Sequence, residues 1–88
     1  MNMIDFYAEE YDETNWNEFS KCFKKADIDI PEIPQDIICA VLGILGKETG
    51  YMWLHTSLQK FGDKNALELL KTPKGEKALK AYIMRLPN

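Results

Sequence analysis

Large apolar residues recur along the chain at the spacing of helices rather than strands. Trp16, Phe19 and Phe23 lie at positions i, i+3 and i+7, which places them on one face of a helix. The stretch 35–45 is apolar on nearly every side, which predicts a central, deeply buried helix. We therefore predict an all-α fold, a single small domain of four or five helices. The predicted helices begin near Thr14 or Asn15, Pro34 or Gln35, Lys47, Asp63 and Thr72, and they end near Ala26, Gly46, Leu58, Leu70 and Pro87.

Capping residues and prolines mark the boundaries of these helices. Thr72 followed by Pro73 is the clearest helix start, because an N-cap hydroxyl and a proline at the first helical position both favour initiation. The segment 27–34 contains Pro31 and Pro34, so we predict an extended linker there rather than a strand. The third helix has Tyr51, Leu54 and Leu58 on one stripe, and the last has Leu79, Tyr82, Ile83 and Leu86 on one face with Lys74, Lys77 and Lys80 toward the other.

Charge is distributed unevenly along the 88 residues. Residues 1–18 carry six acidic side chains and no Lys or Arg, whereas residues 57–88 carry six Lys and one Arg against three acidic side chains. We predict that residues 1–13 form an acidic N-terminal arm, either loosely held or folded as a short helix that docks on the remainder, residues 14–88. The formal net charge of −3 argues against direct DNA binding.

The cysteines and the hydropathy pattern bear on the compartment. Cys22 and Cys39 form no CxxC motif, and free thiols are typical of a reducing cytoplasm. We expect both thiols to be buried as small apolar groups. The acidic N-terminus lacks the apolar core of a signal peptide, and the apolar run 37–45 is too short to span a bilayer. We expect a cytoplasmic protein.

Residues suited to catalysis do not form a convergent set. His55 is the only histidine, and it precedes Thr56 and Ser57. Neighbouring positions on a helix point apart, so these residues do not predict a catalytic triad, and we expect a surface histidine. One histidine and two distant cysteines are too few for a metal site, and no glycine-rich phosphate loop is present. We predict a non-enzyme with no metal and no cofactor.

The C-terminal half carries a pattern of motif residues at fixed spacing. Over residues 46–86 it resembles the toxin-binding domain at the C-terminus of the Xre/MbcA/ParS antitoxins. Phe61 stands where that family usually has Leu, and Ser57 and Ala66 stand where it tends to have proline. The matching positions are Trp53, Leu54, Phe61, Gly62, Leu67, Leu69, Leu70, Thr72, Gly75, Leu79 and Ile83, with Arg85 where the family often has Arg.

The resemblance implies a function based on binding another protein. In that family the partner is similar to a RES-type toxin that degrades NAD, and the antitoxin covers the active-site cleft. Residues 1–35 are too acidic and too rich in proline for the family's helix-turn-helix domain, so we expect no carry-over of its DNA-binding role. The resemblance makes residues 14–88 a partner-binding domain, with contact candidates in the last helix and tail: Lys80, Tyr82, Arg85, Leu86 and Asn88.

Other readings of the same residues remain open. The alternative is a phage-borne or host inhibitor or adaptor of the same fold that acts on a different target, such as a defence nuclease complex, because an acidic arm can occupy a basic groove. Trp53 and Leu54 are either core residues or contacts, and the Lys74, Lys77 and Lys80 stripe is either a solvated face or a contact surface. We also expect self-association, since so small a fold leaves apolar surface uncovered.

Overall fold

The fold is all-α, as predicted. The computed structural model describes residues 3–86, which contain six α-helices, a short 3-10 helix and no β-strand, so there is at least one helix more than predicted. Within these residues the extended pairing is limited to a single bridge between Leu58 and Lys64. The elements are α1 (Met3–Glu10), α2 (Glu13–Ser20), α3 (Gln35–Leu45), α4 (Lys47–Leu54), the 3-10 helix (Gln59–Phe61), α5 (Ala66–Leu69) and α6 (Pro73–Ile83).

Helix α3 lies at the centre of the core, as its continuous apolar character predicts. Ile37, Ile38 and Val41 are fully buried, and α3 packs against α2, α4 and α6. Burial of each such side chain contributes roughly 1.5–3 kcal/mol. Trp16 of α2 is also buried, and its indole Nε1–H donates to Asp36 Oδ2 at 2.8 Å, which satisfies the one polar atom of that ring. The hydrogen bond ties α2 to the start of α3.

The acidic arm is a docked helix rather than a loose segment. Residues 3–10 form α1, which packs along α6 in the most extensive contact between two helices of the described chain. Tyr7 is buried there, with its ring edge-on to the rings of Phe61 and Tyr82 at centroid distances of 5.6 and 5.4 Å. The division of the chain at residue 13 stays a prediction, although α1 shares its core with the rest.

Helix α2 is displaced relative to the prediction. It is capped by Asp12, whose side chain accepts the backbone N–H of Asn15 at 3.0 Å, rather than by Thr14 or Asn15. It ends at Ser20, six residues before the predicted end at Ala26. An aspartate is as good an N-cap as a hydroxyl residue, so Asp12 begins the helix earlier than Thr14 would.

Beyond α2 the chain leaves the helical path because it packs against α3. The Phe23 ring lies so close to Gly43 that a β-carbon at that position would be 2.3 Å from the ring. The Ala26 N–H donates to Cys39 Sγ at 3.3 Å. Tertiary packing therefore overrides the i, i+3, i+7 periodicity that extended the predicted helix to Ala26. Residues 27–34 contain no helix or strand, but a turn interrupts the predicted extended linker: Glu32 has a positive φ of 74°, and the Ile33 N–H donates to the Ile30 carbonyl at 3.1 Å.

Helix α4 is also shorter than predicted and ends at Leu54 rather than Leu58. Two side chains take up its last carbonyl groups: His55 Nδ1 lies 2.9 Å from the Tyr51 carbonyl, and the Thr56 hydroxyl donates to the Met52 carbonyl at 2.8 Å. Side chains that bond to the backbone in this way compete with continuation of a helix.

Of the two remaining helices, α5 does not begin where predicted, whereas α6 does. Helix α5 is capped by Asn65 and not by Asp63, because Asn65 and Glu68 form a reciprocal capping box while Asp63 adopts a positive φ of 61°. Helix α6 begins as predicted, with Thr72 as N-cap and Pro73 in the first turn. It ends at Ile83 with Met84 as C-cap, so it stops short of the predicted end near Pro87, and Leu86 lies beyond the helix.

Candidate protein-binding surfaces

The motif residues of the C-terminal half build the core of the fold. Side chains of α4, the 3-10 helix, α5 and α6 converge here, so these positions have an architectural role in this chain. Trp53, which is only half-buried, stacks on Tyr82 with a centroid distance of 6.2 Å. Leu54, Phe61, Leu69, Leu79 and Ile83 are buried, and Trp53, Leu67 and Leu70 are half-buried against them.

The Thr and Gly positions of the motif shape the turn before α6. The Thr72 hydroxyl accepts the Gly75 N–H at 3.0 Å, which caps the helix. A β-carbon on Gly75 would lie 2.0 Å from the Leu69 carbonyl oxygen, so only glycine fits against that backbone. Gly62 ends the 3-10 helix in the left-handed region at φ 71°, where glycine carries no steric penalty.

Lys80, a predicted contact residue, is enclosed by the chain itself. Its side chain is 14% exposed and pairs with Glu76 at 3.1 Å, one turn earlier on α6. Its ammonium group lies 5.6 Å from the Trp16 ring centroid and 5.8 Å from the Tyr11 ring centroid. Within the described chain these groups already satisfy the charge, so Lys80 holds the α1–α2 connection against α6.

Tyr82 lies within an aromatic cluster. It is half-buried, stacked on Trp53 and edge-on to both Tyr7 and Phe61, with centroid distances of 5.4 Å for the two edge contacts. The Lys60 ammonium lies 5.4 Å from the Tyr82 centroid. Pairs of aromatic rings contribute about 0.5–1.5 kcal/mol each beyond the area that they bury. Tyr82 is therefore an element of the core as well as a contact candidate.

The end of α6 is tied to α1 by charge. Arg85 is exposed, but its guanidinium pairs with Glu10 and lies 5.6 Å from the Tyr7 ring centroid. At the other end of the same face, Lys74 pairs with Asp5. Leu86 is half-buried against the core, and Asn88 lies outside the described residues. The predicted contact set is thus largely brought together against α1.

Two groups at this interface have shifted pKa values. The hydrogen bond to the Asp5 carboxylate, reinforced by its charge, raises the pKa of the Lys74 ammonium above its usual value. Burial raises the pKa of the Tyr11 hydroxyl, an effect that the positive charge of Lys80 partly opposes. Both shifts favour the protonation state present at neutral pH. At that pH Lys74 is therefore charged and paired with Asp5, and the Tyr11 hydroxyl is neutral.

A second surface, on α4, was not anticipated from the sequence. Tyr51 and Met52 are 48% and 68% exposed, and among residues 3–86 they are the only large apolar side chains that lie largely in solvent. With Ile28, Lys47 and Glu48 they line an open groove of about 520 Å³, which we call the Tyr51–Met52 groove. Exposed Tyr and Met are enriched in protein interfaces.

A third surface lies beside it and shares Lys47. This lysine groove has a volume of about 410 Å³ and runs between the segment after α2 and helix α3. Cys22 in this groove is exposed and Cys39 is half-buried, so the expectation that both thiols are buried is wrong. The reason is the early end of α2, which leaves Cys22 on the surface. The lysine groove is lined by Cys22, Phe23, Lys24, Lys25, Ala26, Asp27, Cys39, Leu42, Gly43 and Lys47.

The described residues provide no cluster of metal-binding side chains. Among residues 3–86, no three His, Cys, Asp or Glu side chains are arranged to hold a metal ion, and no polar or charged residue is buried. His55 is exposed, as predicted, and its ring contacts Tyr51. Across the same residues, no helix combines the length and apolar character that a membrane crossing requires.

These observations define a small all-α domain whose distinctive surface features are two adjoining grooves and a charged interface between its first and last helices. Comparison with protein-family models, characterised proteins and solved structures gives no match for the chain.

Proposed function

We propose that this protein is a non-enzymatic binder that inhibits another protein, and that the Tyr51–Met52 groove forms part of its contact surface. The observation that carries the proposal is the exposure of Tyr51 and Met52 in a fold that otherwise covers its large apolar side chains within residues 3–86. Exposed apolar side chains beside a groove mark interaction sites, since they gain from burial by a partner.

The end of α6 is the second part of the proposed contact surface. The resemblance to the antitoxin domain favours Lys80, Tyr82, Arg85, Leu86 and Asn88. In the free protein, however, Arg85 and Lys80 already have acidic partners, Glu10 and Glu76. A partner that bound there would have to replace these contacts, whereas Tyr51 and Met52 are available without rearrangement.

The resemblance also supports a class of target. An antitoxin-like protein acts by covering the active-site cleft of a RES-type enzyme, which prevents entry of NAD. The present chain would do so as a rigid helical domain, because the residues that match the family motif are packed into its core. Inhibition would then depend on surface contacts and not on a chemical step.

The experiment is an NAD-hydrolysis assay with a purified RES-type enzyme encoded beside this protein. We expect the wild-type protein to suppress hydrolysis at a stoichiometric ratio. The double variant Tyr51→Ala/Met52→Ala should raise the concentration needed by about a hundredfold, since two interface anchors of this type contribute roughly 1–2 kcal/mol each. A matched control, Gln59→Ala/Lys71→Ala, truncates two exposed side chains outside both grooves.

Two results would contradict the proposal. Hydrolysis unaffected by an excess of the folded wild-type protein would remove the RES-type target. Suppression that both double variants retain equally would keep the inhibitory role but remove the Tyr51–Met52 groove from the contact surface. A circular-dichroism spectrum of each variant shows whether the helical fold is intact.

A different target is favoured by the acidic surface of α1 and α2. Glu9, Asp12, Glu13 and Glu18 are all exposed, and no Lys or Arg occurs before Lys21. A surface of this charge suits a basic, nucleic-acid-binding groove of a defence nuclease complex. Glu13→Lys/Glu18→Lys should then abolish inhibition of the nuclease while leaving inhibition of a RES-type enzyme unchanged.

A further inference from the structure

The lysine groove is a positively charged surface whose charges are not used by the fold. Lys24, Lys25 and Lys47 are exposed, and within residues 3–86 none of them forms an ion pair, whereas Asp27 is the one acidic residue that lines the same groove. On the α6 side of the molecule, by contrast, Lys74 and Lys80 each pair with a carboxylate. The lysine groove thus presents an excess of positive charge toward solvent.

The lysine groove is lined in part by apolar side chains and adjoins the Tyr51–Met52 groove at Lys47. Phe23 and Leu42 are half-buried in its lining, and Lys47 lines both grooves. A ligand lying along the two would therefore meet lysine ammonium groups at one end and the exposed Tyr51 and Met52 side chains at the other. The pattern calls for a ligand with both carboxylates and large apolar groups.

A second copy of this chain does not provide such a ligand from its described residues. The exposed face of α2 is acidic but polar, with its one tryptophan, Trp16, buried. The apolar face of α1 is occupied, since Tyr7 and its neighbours contact α6. No described segment combines exposed carboxylates with exposed large apolar side chains other than the groove itself.

Nucleic acid also fits the combined groove poorly. The only arginine of the chain, Arg85, lies at the end of α6 and pairs with Glu10 there. Arginine dominates phosphate and base contacts, and the chain as a whole is negatively charged.

We propose that the two adjoining grooves bind an acidic, amphipathic segment of the partner protein. Its carboxylates pair with Lys24, Lys25 and Lys47, and its apolar side chains contact Tyr51 and Met52. The inference rests on the proposed function, because it names the part of the partner that this surface holds. Its charge complementarity gives the association a strong dependence on ionic strength.

The test uses a synthetic amphipathic peptide of about 15 residues, long enough to form four helical turns, with Glu along one face and Leu along the other. Binding to the full chain is followed by fluorescence anisotropy at low and at high salt. A control peptide keeps every Leu and replaces each Glu by Gln. We expect the acidic peptide to bind at least tenfold more tightly than the control at low salt, and the difference to shrink at high salt.

Matched variants of the protein localise the interaction. Lys24→Glu/Lys25→Glu should weaken binding of the acidic peptide by about tenfold, as expected for the reversal of two exposed charge pairs. Lys64→Glu/Lys71→Glu changes the net charge by the same amount at exposed positions outside both grooves and should leave binding unchanged. Tyr51→Ala/Met52→Ala should weaken binding of both peptides.

Four outcomes of the binding experiments would overturn the inference, and a fifth would come from sedimentation. The first is no binding of the acidic peptide near 1 mM, the weakest affinity of interest here, and the second is equal binding of the two peptides. The third is an equal loss of binding in both lysine variants. The fourth is tighter binding of a single-stranded oligonucleotide than of the acidic peptide. Sedimentation that showed a dimer disrupted by Lys24→Glu/Lys25→Glu would assign the groove to a second copy instead. None of these depends on NAD hydrolysis, so failure of the inhibition assay and failure of this inference can be told apart.

Discussion

Basic and aromatic residues occur both at the α1–α6 interface and on the surface formed by the two grooves. At the interface they make contacts within the chain, and on the grooves most of them are exposed. At the first, Arg85 and Tyr82 contact Glu10 and Tyr7 of the same chain. At the second, Lys24 forms no ion pair within the described residues, and the ring contact of Tyr51 there is with the exposed His55, so both side chains face solvent. Residue type alone therefore does not identify a binding surface, because basic and aromatic residues serve intramolecular contacts equally well.

The aromatic rings contribute more to the stability of the α1–α6 interface than its ion pairs do. The ion pairs there are exposed to solvent, and such pairs contribute about 0–1 kcal/mol. Tyr7, by contrast, is buried and contacts three other aromatic rings, those of Phe6, Phe61 and Tyr82. Burial of Tyr7 therefore holds α1 against α6, and the two ion pairs add a smaller contribution.

The largest effect is expected from removal of the Tyr7 ring. Tyr7→Ala should lower the free energy of unfolding by about 3 kcal/mol or more, the cost of deleting a buried aromatic ring. The equivalent change on the other surface, Tyr51→Ala, should alter it by less than about 0.5 kcal/mol, because that ring is half in solvent. Urea denaturation followed by circular dichroism measures both. Similar losses for the two variants would mean that Tyr51 is as much a part of the core as Tyr7.

A second, smaller difference is expected between two helical glycines. Gly75→Ala places a β-carbon against the backbone carbonyl of Leu69, which cannot move freely, so we expect a loss of about 2–3 kcal/mol. Gly43→Ala meets only the Phe23 ring beside the lysine groove. Displacement of that ring is offset by the higher helix propensity of Ala, and the net change should be under about 1 kcal/mol.

The measurement for the glycine pair is again the urea midpoint, with the peptide-binding assay added for Gly43→Ala. A shift of the Phe23 ring changes the lining of the lysine groove, so binding of the acidic peptide should change although stability does not. If Gly43→Ala proved as destabilising as Gly75→Ala, the Phe23 packing would be part of the rigid core. The lysine groove would then be a fixed feature of the fold.

Much of the fold could be predicted from local sequence signals. The buried character of α3 follows from its continuous apolar run, and the start of α6 follows from Thr72 and Pro73. The ends of α2 and α4 could not be predicted in the same way. The end of α2 depends on Phe23 packing against α3, and the end of α4 depends on the hydrogen bond that the Thr56 hydroxyl donates to the Met52 carbonyl. The periodicity of apolar residues does not predict such contacts.

The candidate binding surface was harder to predict than the fold. The stripe of Tyr51, Leu54 and Leu58 groups an exposed ring with a fully buried leucine, Leu54, so the pattern gave no sign that Tyr51 is exposed. Met52 lies off that stripe, so the pattern did not predict its exposure either. The lysine groove depends on the chain turning back after Ser20, which brings Lys24 and Lys25 near Lys47. Such a juxtaposition is a property of the tertiary structure.

The smallest expected effect is a dependence on alkaline pH that is specific to the α1–α6 interface. The raised pKa values of Lys74 and Tyr11 mean that their contribution to stability is complete below the unfolded-state values, about 10.4 and 10, and is lost as pH rises through the higher folded-state values. Wild-type stability should therefore fall above about pH 10. Lys74→Gln/Tyr11→Phe should flatten that decrease in urea titrations at successive pH values, whereas Lys71→Gln, which removes an exposed lysine with no ion pair in residues 3–86, should retain it. An equally steep decrease in the first variant would place the alkaline sensitivity elsewhere and leave α1 held by its rings alone.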